Sequence, residues 1–507
     1  MRRAAWIAGA ASLVAAGAAA LAAARRRNSS AEIPLMPTER SKRNAQLLAA
    51  GARGGRDYAS MRVRSAMASE QRRDELAAEF ELRTAEAVAE SLGQMKGALM
   101  KLGQMASYLD QGLPSHVRDA LAQLQSDAPP MAVELAEDVL CSELGGASGD
   151  LFAHFDPVPI ASASIGQVHR AVTHTGRSVA VKVQYPGVDE AITADLENTD
   201  MLFSVLSMLF AGLDPEPIVA ELRERLVEEL DYTAEADHQR LFADSYRGHP
   251  YIHVPDVVAE LSSQRVLTTE LAEGARFSEV TTWPDEERQL AAETLYRFAF
   301  GSIYGLAAFN GDPHPGNYLF RPGGQVTFLD FGLCKRFTDT EVEYMSAMTQ
   351  AIAVDHDTDR FREILTEIGI LPEELTVEGR PVTEAELSEY FGHFWEFVLE
   401  EGESEMTPEY ASESVRRFFD LSAPHAAITK QANLPPFMVI IQRINLGLFA
   451  LFGDLRARND WRAIAEELWP FVETQPRTPM GERVAQWEAG RATGSLDETD
   501  GAAEDGS

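Results

Sequence analysis

Between Phe309 and Leu333 the chain reads FNGDPHPGNYLFRPGGQVTFLDFGL, an order of residues that few folds accommodate. Asp312 and Asn317 flank a loop stiffened by Pro313 and Pro315, a β-prone run from Val326 to Leu329 follows, and Asp330-Phe331-Gly332 closes the stretch. Pro fixes φ while Gly and Asn tolerate positive φ, so the loop taken alone also reads as a plain surface turn. The sequence of the pieces points to another use. Phosphoryl transfer needs a carboxylate that meets the incoming hydroxyl or water, plus an amide oxygen and a second carboxylate that hold Mg²⁺ against nucleotide phosphates. Asp312 suits the first role; Asn317 and Asp330 suit the second.

A nucleotide-binding lobe should then lie upstream, and one is legible. Residues 152–184 read as three strands: Phe155 to Ile160 leading into ASASIGQVHRAV, a turn at His174-Thr175-Gly176, and SVAVKVQ with Lys182 near its end. A small-residue loop over the phosphates followed by a strand lysine is the layout of a kinase-like amino-terminal lobe. Ala161, Ser162, Ala163 and Ser164 are small enough for main-chain amides to approach phosphate oxygens. Val179, Val181 and Val183 around Lys182 imply a half-buried ammonium, which needs an acidic partner.

Residues 217–242 carry Leu222, Leu226, Leu230, Ala234 and Leu241 at helical spacing, with Glu229, Asp231 and Glu235 among them. Asp231 and Glu235 are one turn apart and share a face, whereas Glu229 is rotated from Glu235 by about a third of a turn. Glu235 is expected to face Lys182, and Glu229 to face Lys101; fully solvated acids are the alternative. Lys101 and Gln104 lie off the apolar stripe Val88, Leu92, Met95, Leu99, Leu102, Ala106, Leu109 of an earlier helix. Gly103 between them costs up to about 1 kcal/mol relative to alanine in mid-helix, which suggests close approach of another backbone.

Leu196 to Phe210 reads as an added apolar helix, and Thr268 to Gly274 as the hinge between lobes, with main chain from Glu270 to Ala272 reading the adenine edge. Residues 286–306 and 341–470 are patterned as helices. The run PPFMVIIQRINLGLFALF is interrupted by Gln442, Arg443 and Asn445, as suits a buried core helix rather than a membrane span.

A formal charge of -34 argues against nucleic acid as a partner, because phosphate binding rests on Lys and Arg. Cys141 and Cys334, far apart, make neither a zinc site nor a disulfide framework, and imply a reducing compartment. Residues 4–24 are apolar or small and bracketed by arginines, and as a helix they would rise roughly 30 Å, about one bilayer core. An uncleaved anchor and a cleaved signal peptide both fit. The heavier basic cluster Arg25-Arg26-Arg27 favours an anchor with the folded part in the cytoplasm.

PIASASIGQVH, VAVKVQYPGV, the K-x-G-Q of Lys101 to Gln104, the E-x-D of Glu229 to Asp231, GDPHPGN and LDFG stand here in the order in which the UbiB (AarF-type) atypical kinase-like family has them. The chain resembles that family from about residue 85 to 455. The resemblance implies an α+β, protein-kinase-like bilobal fold: a small β-rich N-lobe, a helical C-lobe and an added N-terminal helical extension carrying K-x-G-Q. The corresponding division is an anchor or signal over 1–27, a linker over 28–78, the extension over 79–150, an N-lobe with inserted helix over 151–273, a helical C-lobe over 274–475 and a disordered tail over 476–507.

By the same resemblance Lys101, Gly103 and Gln104 lie on a helix packed across the core where a protein substrate would dock. Glu229 and Asp231 match the E-x-D, Glu235 the lysine-pairing glutamate, and Ala161 to Ser164 the alanine-rich loop. It implies binding of ATP and Mg²⁺ and a slow or conditional ATPase. The expected setting is isoprenoid quinone biosynthesis or lipid homeostasis, with membrane lipid, quinone intermediates and quinone-biosynthesis proteins as partners. Ser162 stands where many members have alanine, and Asn310-Gly311 where many have His-Ala. A nucleotide-gated scaffold and a small-molecule phosphotransferase are the competing readings.

Overall fold

A computed structural model describes residues 132–188 except 163 and 164, and residues 230–493 except 378–379, 400, 420–427, 429–430 and 434. The segments read as anchor, linker, K-x-G-Q helix and inserted helix lie outside the described residues, as do Lys101, Gly103, Gln104, Glu229, Ala163 and Ser164.

The first layer is a five-stranded sheet. β1 (His154–Phe155), β2 (Ala161–Ser162), β3 (Gly166–Val172), β4 (Ser178–Gln184) and β6 (Val266–Glu270) run in the order β1-β3-β4-β6, with β2 also on β3. Strand alternation decides its faces. Val179, Val181 and Val183 of β4 point one way, fully buried, and pack with Ala136, Val139 and Leu140 of helix α1 (Val133–Leu144). Across the register, Gln167 and His169 of β3 share this apolar face. They are satisfied there: Gln167 bonds His169 Nε2 at 2.8 Å, and His169 Nδ1 meets the Asp156 carbonyl at 2.8 Å. Ala180 and Lys182 therefore project from the opposite face.

Helix α2 (Tyr232–Ser245) follows, and β5 (Ile252–His253) joins a second sheet with β9 (Gln325–Phe328) and β8 (Tyr318–Arg321). The rest is mainly helical. Helix α3 (Asp285–Leu306) opens with Asp285, Glu286 and Glu287, acids that suit the positive end of a helix dipole. It ends at Ala307 in the left-handed region and passes straight into β7 (Ala308–Asn310), which pairs with β10 (Cys334–Arg336). Helix α7 (Pro436–Leu455) sits in the core through Phe437, Ile441, Ile444, Phe449 and Phe452, as expected for the Gln442-interrupted run. Among the described residues no helix is long and apolar enough to cross a membrane. Within 341–470 the chain also forms short antiparallel pairs, Thr376–Val377 with Arg380–Pro381 and Ser404–Glu405 with Arg458–Asn459, which helical patterning did not signal.

The described part of the 476–507 tail departs from the expectation of disorder. Residues Pro479–Ala492 form helix α8, N-capped by Thr478, with Met480 buried and Trp487 against His249. Averaged composition hid a local signal, a Thr cap followed by proline at the first turn. Glu467 anchors the start of this helix, accepting from the amides of Arg477 and Thr478 at 2.6 and 2.8 Å.

Docking of α8 has a pH consequence. His249 accepts from the amides of Tyr251 and Ile252 through Nδ1 at 3.1 and 2.9 Å. Burial, with Arg297 and Arg491 nearby, pushes it down to about 3. A histidine freed by unfolding titrates near 6.5, so between pH 6.5 and about 3 the unfolded chain binds the extra proton. Stability is thus expected to fall as pH drops through that window, by about 1.4 kcal/mol per unit from this group. His249→Asn, which retains an acceptor in the Nδ1 position, should flatten the acid limb of a urea-midpoint profile. An unchanged limb would show that His249 is not its source.

Candidate functional site

Lys182 leaves the sheet toward α2. Its Nζ lies 2.8 Å from both carboxylate oxygens of Glu235 and 3.6 Å from Asp330 Oδ2, and 4.8 Å from the centre of the Tyr232 ring. Burial opposes the charge on Lys182, but Asp330, Glu235 and Tyr232 together raise its pKa well above the ordinary lysine value. The ammonium is thus held as a cation between two carboxylates. Glu235 is only 4% exposed, whereas Asp330 is 32% exposed and open on one side.

Helix α2 is aimed by its own start. Asp231 accepts from Thr233 N at 2.9 Å and Thr233 Oγ1 at 2.6 Å as the N-cap, and Gln184 at the end of β4 donates to the Leu230 carbonyl at 2.8 Å. The expectation that Asp231 and Glu235 share a helix face is corrected here. Asp231 precedes the helix with extended backbone, because a short acceptor is worth more on the free N-terminal amides than on the helix flank.

The acidic loop is stitched to the strand that follows it. Asn310 Nδ2 donates to the Asp330 carbonyl at 2.7 Å, and Asn310 Oδ1 accepts from Asp312 N at 3.3 Å. Asn317 Nδ2 donates to the Asp312 carbonyl at 3.1 Å, and Leu329 N to the Asn317 carbonyl at 3.0 Å. Gly332 N donates to Asp330 Oδ1 at 2.9 Å. Tyr318, buried beneath, has its phenol pushed well up by burial and by the Asp312 and Asp330 carboxylates beside it. Asp312, Asn317 and Asp330 therefore meet at one place, beside Lys182 and Glu235.

Sequence reasoning passed over several residues that build this place. Asn310 read as a departure, yet it links both acidic segments. Tyr232 lies against Lys182, and the cue available was its position directly after Asp231 in E-x-D-Y. Gly166 sits where any Cβ would run into the Val183 carbonyl, so β3 and β4 pair there only through glycine. In the segment expected to read the adenine edge, the Glu270 amide donates to the Asp256 carbonyl and the Leu271 amide to the Ser178 carbonyl, and Ala272 lies in the irregular segment beyond β6. Ala161 and Ser162 are exposed in β2, opposite Val168 and Gln167.

Gly332 gives a test of this geometry. A methyl there would stand 3.3 Å from Asp330 Oδ1 and 3.4 Å from Glu235 Oε2. In Gly332→Ala the Mg²⁺-dependent nucleotide binding proposed below should weaken about tenfold, equal to about 1.4 kcal/mol, while urea unfolding stays close to the parent. Equal affinity in a titration would mean that the two carboxylates need not stand so close.

The ABC1 atypical kinase-like domain family matches residues 123–365. The mitochondrial atypical kinase COQ8 of Saccharomyces cerevisiae is 31% identical over 271 residues, covering 53% of this chain and 54% of that protein. Atypical kinase COQ8B of Rattus norvegicus is 34% identical over 282 residues, covering 54% and 52%. The chain thus spans about half the length of these curated relatives. The solved structure of the Rv3197-erythromycin complex from Mycobacterium tuberculosis superposes with a TM-score of 0.56 at 31% identity, over 79% of this chain and 100% of that one. With the kinase-like bilobal fold and the order of motifs, these matches establish that the chain belongs to the UbiB (AarF-type) family of atypical kinase-like proteins.

Proposed function

We propose that the chain is a membrane-associated atypical kinase or ATPase that binds ATP with Mg²⁺ and supports isoprenoid quinone biosynthesis or lipid homeostasis. The observation that carries this reading is Lys182, held between Glu235 at 2.8 Å and Asp330 at 3.6 Å beside the Asp312 loop. Lys182 orients the phosphates. The donor set fits Mg²⁺: Asp330 offers a hard carboxylate, and Asn317, whose Nδ2 is committed to the Asp312 carbonyl, offers its amide oxygen. Once bound there, the ion would neutralise charge building on the transferred phosphoryl group. Asp312 accepts the proton of the incoming hydroxyl or water. The exposed small residues Ala161 and Ser162 of β2 leave main chain open to the phosphates, and the segment from Glu270 to Ala272 lines the base.

The quinone or lipid setting rests on the family and on relatives named as mitochondrial atypical kinases COQ8 and COQ8B. A nucleotide-gated scaffold is favoured by one observation. A cavity of about 80 Å³ lies among Tyr304, Met345, Met438 and Trp469 in the helical lobe, and Asn445 Oδ1 is buried without a hydrogen-bond partner among the described residues. It has room for one end of a lipid or isoprenoid molecule. Asp312→Asn separates the two readings: phosphate release should fall at least about 100-fold, in the range that loss of a general base costs, with nucleotide affinity retained. A scaffold would keep complementing a deletion strain with this variant; an enzyme would not.

A further inference from the structure

Helix α2 ends badly by its own sequence. Its last turn, Phe242-Ala243-Asp244-Ser245, carries no basic residue and places an acid where the helix dipole favours a cation. The terminal carbonyls of a helix also need donors. Arg247, just beyond the helix, answers the Asp244 carboxylate at 2.8 Å, and the last two carbonyls are met from α8. Arg491 of α8 donates through Nη1 to the Ser245 carbonyl and through Nη2 to the Asp244 carbonyl at 3.4 Å. Trp487 Nε1 donates to the Arg247 carbonyl at 3.1 Å, its ring packs against His249 at 4.6 Å, and Arg491 lies 5.0 Å over that ring. The other end of α8 is fixed, since Thr478 and Glu467 join the buried Arg297.

At its opposite end α2 presents Glu235 to Lys182, and between the two Phe242 packs on Phe331 of Asp330-Phe331-Gly332 at 5.1 Å. Ten residues of helix, about 15 Å, connect Glu235 to Ser245 as one rigid rod. We infer that Trp487 and Arg491 are positioning residues: by capping α2 from outside they hold Glu235 on Lys182, and release of α8 loosens the nucleotide site. The nucleotide part of this statement rests on the function proposed above, whereas the mechanical part does not.

The test uses the full chain with Arg491→Lys, Arg491→Ala and Arg491→Glu. Amide hydrogen exchange is read separately over 232–240 and 241–249, with 318–328 as internal reference, and Mg²⁺-ADP affinity is titrated alongside. Exchange over 232–240 should stay near the parent in Arg491→Lys, rise about threefold in Arg491→Ala and about tenfold in Arg491→Glu, following the charge at the helix end. Affinity should fall in the same order. Faster exchange confined to 241–249, or equal rates in all three variants, would overturn the inference and leave Arg491 a local cap. Should Arg491→Glu not fold, Trp487→Phe removes one donor and keeps the ring, and a rise of about twofold over 232–240 is expected by the same reasoning. A parent that binds no nucleotide would sink the function proposed above, while the exchange measurement still decides this one.

Discussion

Lys182→Met should lower Mg²⁺-ATP affinity by about 100-fold, a loss of about 2.7 kcal/mol, while keeping an unbranched apolar side chain in that place. The side chain is 15% exposed and Glu235 4%, so the pair lies largely out of water. Removing the ammonium takes from the buried Glu235 carboxylate a cation 2.8 Å away, a change that costs about 3–5 kcal/mol at buried sites. Thermal stability is therefore expected to fall together with affinity. The two losses should separate in Lys182→Met with Glu235→Gln, where the buried carboxylate charge is gone. That double variant should regain most of the stability and none of the affinity. Recovery of both would mean that the lysine serves the fold alone.

Arg297→Ala is expected to destabilise the chain by about 3–5 kcal/mol. Arg297 is 4% exposed and pairs with Glu293 at 2.8 Å and Glu467 at 2.5 Å, themselves 8% and 5% exposed. Alanine would leave two buried carboxylates facing each other. Burial already pushes Glu293 up despite the guanidinium beside it. Without Arg297 it should take up a proton more readily, so the measured cost should be larger at pH 8 than at pH 5. Urea unfolding at the two pH values checks this. The compensated variant Arg297→Met, Glu293→Gln, Glu467→Gln should recover much of the loss. A cost below about 1 kcal/mol at both pH values would place the cluster among solvated surface pairs.

The centre of the site was legible because each part obeys a local rule. Alternation along SVAVKVQ puts Val179, Val181 and Val183 in the core and sends Lys182 to the other face, and a half-buried lysine calls for an acid. The nearest helix supplied Glu235. The Asp312 to Asp330 stretch was legible through its spacing. What escaped were features made by distant segments or by the cost of a helix end. Asp231 read as a helix-face acid because periodicity carries no information about where a helix starts. Asn310 read as a departure, since its bonds to Asp330 and Asp312 exist only once β7 and β10 pair. The capping of α2 by Arg491 joins positions 246 residues apart, and composition over 476–507 averaged away the helix that makes it possible.

The central claim is that Lys182, Glu235, Asp312, Asn317 and Asp330 form one pocket for a nucleotide and its divalent ion. Calorimetric titration of the chain with ATP, in Mg²⁺ and then in excess chelator, tests it most directly. Saturable one-to-one binding that needs Mg²⁺ and disappears in Asp330→Asn is the predicted result. Binding that ignores the chelator, or a folded parent chain with no affinity for ATP in either condition, would contradict it.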